Sequence, residues 1–336
     1  MVASCKGEPA KETGSTTTDT GYETVTTADD TDTGDTVSGD TADTADTTDT
    51  SGGDTDETGE TGETAAPPPR TLSSGSQILK HDGVDRTFEL YLPADLPVGA
   101  PLVVVLHGYG GTGVAMGGYT GMQALADAEG FALVQPQSLV DAWGWTCWNV
   151  GYCDNDDVDD VGFLREVIEL VRGDQGSGAV MVTGMSNGGD MSYRMGCEAS
   201  DVVDVIAPVA GCLMTWLTES CAPGTPPPLV AFHGNGDPIT LWDGDPHYFG
   251  GGYEGTLSSV GFIAGLHDAQ GYETEAFDDV DGSRYVVHSW STKAADVPVQ
   301  LYEVEDGRHD WPTLPGDDYD ASAVMWEFFV ARIAPW

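Results

Sequence analysis

The sequence predicts an α/β domain, a mostly parallel central sheet flanked by helices, with a disordered acidic tail ahead of it. Three observations carry that expectation. Short runs of aliphatic and β-branched residues, such as LVVV at 102–105, recur through residues 71–336 and read as strands buried on both faces. Most of these runs stop at glycine-containing loops, and segments with apolar residues at helical spacing lie between them. Residues 1–70, by contrast, hold almost no bulky apolar side chain apart from Tyr22.

That first segment contains 20 Thr and 17 acidic residues against Lys6, Lys11 and Arg70. Low hydrophobicity and high charge leave nothing to offset chain entropy, so residues 1–70 are expected to stay disordered and residues 71–336 to form one domain. The tail repeats Thr-Asp-Thr and Thr-Ala-Asp units without a structural period and closes in the stiff spacer AAPPP at 65–69. A coil of that length reaches roughly 40 Å, enough for a tether. Val2, Ala3, Ser4 and Cys5 resemble the processing box of bacterial lipoproteins, which makes Cys5 a lipidation candidate, although no basic region or apolar stretch precedes it. The tail carries a net charge of −14 and the remaining residues −30 of the total −44. Such acidity argues against nucleic acid or an anionic membrane surface as a partner. No segment is apolar for long enough to span a bilayer.

Within the domain, strands are expected at 77–80 and 86–92, where Phe88, Leu90 and Leu92 alternate with polar neighbours; Asp82 and Gly83 supply the hairpin turn. The run at 101–106 reads as a central strand and ends in His107, Gly108, Tyr109, Gly110 and Gly111. Glycines at a strand's carboxyl end let the chain curl around a bound atom, so the Tyr109 amide is a candidate oxyanion donor. A helix ending at Gly130 and a strand at 131–135 follow. Trp143, Trp145 and Trp148 then crowd one loop and are candidates for a substrate wall, with packing around a local disulfide as the competing reading.

The acidic run 154–160 suggests calcium through the spacing of Asn155, Asp157, Asp159 and Glu166, but Asp160 stands where an EF-hand needs glycine. It reads better as a solvated helix start. Acids favour the positive end of the helix dipole, and Val161, Leu164, Val167, Ile168 and Val171 follow at helical spacing. No metal site and no cofactor are expected.

The next strand, 179–183, runs into Gly184, Met185, Ser186, Asn187 and Gly188, a GxSxG box. In such a box a strand turns straight into a helix and leaves the serine on a strained corner with its hydroxyl above the sheet. Gly184 and Gly188 let strand and helix approach closely there. Ser186 is therefore the candidate nucleophile, and the amide of Asn187 the second oxyanion donor. The bland alternative is a Gly-rich turn whose hydroxyl caps the helix at 187–197. Strands at 202–209 and 229–232 follow, and the second enters His233, Gly234, Asn235, Gly236 and Asp237. Asp237, just past a strand end, is the candidate acid. A helix at 256–270, strands at 285–290 and 299–303, and a closing helix at 321–333 complete the domain. Before that last helix comes His309, in a loop with Gly307 and Pro312, which completes the chain order Ser186, Asp237, His309. Trp311 beside it joins the candidate substrate-binding residues. Among the cysteines, Cys147 with Cys153 and Cys212 with Cys221 are expected to pair across short loops, leaving Cys197 as a buried helix thiol. Disulfides favour an extracytoplasmic location.

Taken together, LHGYGG at 106–111, DDVGFL at 159–164, GMSNGGDMSYRMGCE at 184–198, APVAG at 207–211, HGNGDPI at 233–239 and HDWP at 309–312 resemble the secreted polyhydroxybutyrate depolymerase and feruloyl esterase group of α/β-hydrolases, with acetylxylan esterases as relatives. The resemblance spans most of residues 77–336. It implies the α/β-hydrolase fold, Ser186 as nucleophile, His309 as base, Asp237 as its orienting acid, and Tyr109 as an oxyanion amide. Arg308 and Asp310 depart from the pattern, which leaves the substrate open between polyester and plant cell-wall esters. The expected activity is ester hydrolysis through an acyl-enzyme by a monomer. A tethered binding protein that keeps the fold without chemistry, and a serine peptidase, are the alternatives.

Overall fold

A computed structural model of the chain describes residues 71–154, 157–176, 178–278, 284–313 and 319–335. The tail at 1–70, Cys5 within it, and Asn155 of the acidic run lie outside the described residues. The described strands are β1 (Gly75–His81), β2 (Val84–Tyr91), β3 (Leu102–Leu106), β4 (Ala132–Pro136), β5 (Val180–Met185), β6 (Val205–Val209), β7 (Leu229–Gly234), β8 (Gly271–Asp278), β9 (Arg284–Ser291) and β10 (Val299–Val304). They form one sheet in the order β1-β2-β4-β3-β5-β6-β7-β10-β9-β8. The middle strands, from β4 to β10, are parallel, and hairpins close both edges in antiparallel sense. The β1–β2 hairpin turns at Asp82 (φ 48°) and Gly83 (φ 81°), a pair of left-handed residues that matches the twist of the strands.

The central strands are buried on both faces, which explains the near-continuous apolar runs. Leu102, Val104 and Leu106 of β3 pack on one side with Phe163, Leu164, Val167 and Ile168 of α3 (Asp160–Gln175), beside α4 (Asn187–Glu198) and α6 (Thr256–Leu266). Val103 and Val105 point the other way, toward Met325, Trp326 and Phe329 of α7 (Ala321–Val330), with Met116 of α1 (Gly113–Tyr119) and Met122 and Ala126 of α2 (Met122–Glu129). Alternation along one strand thus feeds two separate cores.

The structure departs from the sequence reading in several places. The strand β8, unexpected from the sequence, pairs with β9 at the sheet's edge, so the preceding helix ends at Leu266 and not at residue 270. Short helices α1 and α5 (Thr215–Ser220) also lacked a signal. The start of α3 is capped by Asp159, whose Oδ1 accepts from the Gly162 amide at 2.8 Å. Asp160, expected to be solvated, is fully buried against Arg86 at 2.6 Å, because the β1–β2 hairpin lies over the helix start. Burial pushes this carboxyl up, opposed by Arg86.

Cys147 is joined to Cys153. The other bridge corrects the expectation: Cys197, at the end of α4, is joined to Cys221, with Cα atoms 4.9 Å apart. Among the described residues Cys212 is the free thiol, buried with its Sγ 3.7 Å from Thr256 Oγ1. The chain after α5 folds back over α4, so the cysteine nearest in space is not the nearest in sequence. No described helix is long and apolar enough to cross a membrane.

Candidate active site

Every candidate group sits at the carboxyl end of a central strand, the edge where open α/β sheets bind ligands. Tyr109 follows β3, Ser186 follows β5, Asp237 lies past β7 and His309 past β10. The strands β5, β6, β7 and β10 are successive neighbours, so groups far apart in sequence converge.

Ser186 holds φ 57° and ψ −124°, a conformation costly for a residue with a side chain. What fixes it is the closeness of strand and helix. A β-carbon at Gly184 would lie 2.5 Å from the Gly188 carbonyl oxygen, and one at Gly188 would lie 2.4 Å from that of Leu106. The Ser186 amide donates to Val209 at 2.9 Å, and its carbonyl accepts the Asp190 amide at 2.9 Å. The elbow is thus locked between β3 and β6.

The loop after β3 lies against this elbow: a β-carbon on Gly108 would come within 3.4 Å of Ser186 Cβ. His107 pins the loop, with Nδ1 2.8 Å from the Gly108 oxygen and Nε2 accepting from the Ser138 amide at 3.2 Å. Burial pushes its pKa down to about 4, so the ring is neutral and serves the loop's shape. Among the described residues, neither the Tyr109 amide nor that of Asn187 donates a hydrogen bond. The Asn187 side chain is occupied elsewhere: Oδ1 accepts from the Trp148 amide at 2.7 Å and Nδ2 donates to the Trp148 oxygen at 3.0 Å.

His309 Nδ1 lies 2.7 Å from Asp237 Oδ2. The other carboxyl oxygen accepts from the amides of Ile239 and Thr240 at 2.7 and 3.0 Å. Burial alone would raise this acid, but the nearby His233 imidazole and hydrogen bonds from His309 and the Ile239 amide outweigh it and hold the carboxyl far below the usual range. Backbone bonds from Gly236 to Gly307 and from Asn235 to Val304, both at 3.0 Å, lace the acid loop to the histidine loop. Arg308 and Asp310, which depart from the family pattern, are both exposed. Among the described residues no hydrogen bond joins Ser186 Oγ to the imidazole.

A cavity of about 450 Å³ opens over Ser186, lined by Tyr109, Trp143, Tyr152, Tyr248, Phe249 and Tyr253 together with Asp190 and Ile239. The rings of Tyr248 meet Tyr152 and Tyr253 edge-on at 5.3 Å. Asp190 is buried with Oδ2 accepting from Tyr152 at 2.8 Å and Oδ1 from the Cys212 amide at 2.8 Å. Burial raises it to about 6, against the pull of those bonds.

Of the four tryptophans expected at the substrate, Trp143 lines the cavity, and Trp145 is exposed beside Gly110. Trp148 and Trp311 are corrections. Trp148 is fully buried, its Nε1 donating to the His107 oxygen at 3.0 Å, and Trp311 is buried with its Nε1 on Ser322. Both are packing residues, because their indole N–H groups find partners inside. The sequence reading missed Tyr152, Tyr248, Phe249 and Tyr253. A signal existed in the aromatic-rich stretch 247–253 (HYFGGGY), directly after the candidate acid loop.

No family model matches the chain. Among curated proteins it is 34% identical over 151 residues to the putative esterase NocK of Nocardia uniformis subsp. tsuyamanensis, covering 44% of this chain and 43% of the relative. It is 34% identical over 101 residues to feruloyl esterase B of Piromyces equi, covering 29% and 19%. Among solved structures, an acetyl xylan esterase from Aspergillus awamori superposes with a TM-score of 0.57 at 16% identity, over 74% of this chain and 99% of that one. Parts of the chain are thus similar to curated esterases, and its mixed α/β fold, a large sheet flanked by helices, is shared with a solved esterase. It spans less than half the length of the curated relatives it matches. The esterase PE8, with a TM-score of 0.50 and 14% identity over 74% of this chain, shares the fold.

Proposed function

We propose that the chain hydrolyses carboxylic esters outside the cytoplasm, through an acyl-enzyme on Ser186. The observation that carries this reading is the contact of 2.7 Å between His309 Nδ1 and Asp237, set beside a serine held at φ 57° under an open cavity. With Nδ1–H donated to the carboxylate, Nε2 is the nitrogen left to take the Ser186 proton as the serine attacks the ester carbonyl. The Tyr109 and Asn187 amides, free of other partners, hold the oxyanion; losing such a donor typically costs about 3 kcal/mol of transition-state stabilisation. The protonated imidazole then hands its proton to the leaving alcohol, and water releases the acid by the same steps in reverse order.

The aromatic lining favours a flat acyl group such as a hydroxycinnamate, or a sugar face, over a flexible aliphatic polyester. The names of the relatives, feruloyl esterase B and a bifunctional acetylxylan esterase/xylanase from Neocallimastix patriciarum, support the same class. The two disulfides suit export, and the acidic tail with Cys5 is read as a tether. Release assays on methyl ferulate, acetylated xylan and hydroxybutyrate oligomers separate the substrates. The missing Ser186–His309 hydrogen bond is the one feature that favours a binding protein without chemistry, although such bonds often tighten only around substrate. Fluorophosphonate labelling located by mass spectrometry decides: an adduct on Ser186, lost on unfolding, supports the esterase, and a folded chain that stays unlabelled supports the binder.

A further inference from the structure

We propose that His81, Asp82 and Asp159 form a zinc-type divalent metal site, with Glu166 behind the imidazole, that ties the β1–β2 hairpin to the start of α3. His81 ends β1, Asp82 opens the turn, Asp159 caps α3, and Glu166 lies on α3 itself. The His81 side chain is only 8% exposed, yet neither ring nitrogen makes a hydrogen bond among the described residues. A buried imidazole that faces carboxylates without a hydrogen bond to any of them is costly, and it calls for a partner.

The surroundings fit a cation as that partner. Nε2 lies 3.6 Å from Asp82 Oδ2 and 3.6 Å from Asp159 Oδ2, and the three atoms fall within 4.8 Å of one another. These separations are too long for hydrogen bonds. The two distances of 3.6 Å match the edges, roughly 3.3–3.6 Å, of a tetrahedron whose centre lies about 2.0–2.2 Å from each corner, the bond lengths of zinc to nitrogen and carboxylate oxygen. On the far side of the ring, Nδ1 is 3.2 Å from Glu166 Oε2. A metal-bound histidine characteristically gives its second N–H to a carboxylate, which fixes the tautomer that leaves the other lone pair for the metal.

Two further features agree. Among the described residues no lysine or arginine pairs with any of the three carboxylates, so a divalent cation would balance charge that the chain leaves uncompensated. Gly162 makes the convergence possible: a β-carbon there would lie 2.1 Å from Asp159 Oδ2 and 2.9 Å from His81 Cε1. One imidazole and two carboxylates, with room for water, suit a first-row divalent ion better than calcium, which takes six to eight oxygens. The proposed site shares two residues, Asp159 and Glu166, with the EF-hand spacing read in the sequence.

The test uses the full chain, stripped with a chelator, loaded with excess ZnCl2, desalted and assayed for metal by mass spectrometry, with melting curves in zinc and in EDTA. Roughly one zinc per chain should be retained and should raise Tm. His81→Gln and Asp82→Asn should abolish both effects, and Glu166→Gln should weaken binding about 10–100-fold. Asp82→Asn is the safeguard against misfolding, since Asp82 is exposed and asparagine tolerates its positive φ. A wild-type chain that retains no zinc would leave only a histidine among carboxylates and overturn the proposal. So would zinc retention unchanged in both His81→Gln and Asp82→Asn, or retention of calcium in preference to zinc.

Discussion

On the proposed mechanism Ser186 and Asp237 owe their tasks to their neighbours, the one to the elbow that holds it at φ 57°, the other to the imidazole 2.7 Å away. Ser186→Ala removes the proposed nucleophile while keeping the elbow, so turnover should fall by at least about 10⁴-fold with Tm unchanged. A variant with full activity would end the esterase reading. Asp237→Asn should also cost roughly 10⁴-fold in kcat, because an amide no longer holds the imidazole in the tautomer that accepts the serine proton. Asp190 carries a pH prediction. Burial raises its folded pKa to about 6, above the value of about 3.9 expected in the unfolded chain. The fold therefore favours the protonated acid, and this stabilisation is complete below about pH 3.9 and lost as the pH rises through 6. Above that the ionised group costs on the order of 3 kcal/mol. Asp190→Asn keeps an acceptor oxygen for the Cys212 amide and turns its NH2 as a donor toward the Tyr152 oxygen, so it should raise Tm at pH 8 and change it little at pH 4; an equal shift at both would refute the assignment.

At the scale of elements, the contact between β5, α4 and β3 depends on missing side chains. With the Leu106 oxygen 2.4 Å from where a Gly188 β-carbon would sit, Gly188→Ala must push the elbow helix off the sheet. Overpacking of this kind costs typically 1–3 kcal/mol or more, to be read from urea unfolding, and activity should be lost with it. The Cys197–Cys221 bridge ties the end of α4 to the segment after α5 across 24 residues. Cys221→Ser should destabilise by about 3 kcal/mol, whereas Cys212→Ser should leave both bridges intact in a non-reducing peptide map. A map that instead links Cys212 to Cys221 would contradict the pairing.

For the whole molecule, the sheet order places four successive parallel strands so that their carboxyl ends share one edge, and the cavity opens there. The tail is proposed only as a tether. A chain beginning at Arg70 is expected to keep the Tm and the kcat/KM of the full chain on methyl ferulate. A marked loss of stability on truncation would show that the tail contributes to the folded domain.

The strand-and-helix alternation was legible in the sequence because burial on both faces of a parallel sheet demands unbroken aliphatic runs, as in β3, β5 and β7. The candidates Ser186, Asp237 and His309 were legible because each stands next to glycines at a strand end, in a characteristic chain order. The edge strand β8 was not, since its residues face solvent and carry no apolar pattern. Aromatic identity alone could not tell Trp143, at the cavity, from Trp148 and Trp311, inside the core, because a ring serves either place and only the surrounding atoms decide. The Cys197–Cys221 bridge, the ring of tyrosines over Ser186, and the meeting of His81 with Asp159 all join segments distant in sequence. Local spacing determines which element forms; only the packing of elements determines which side chains face each other across them.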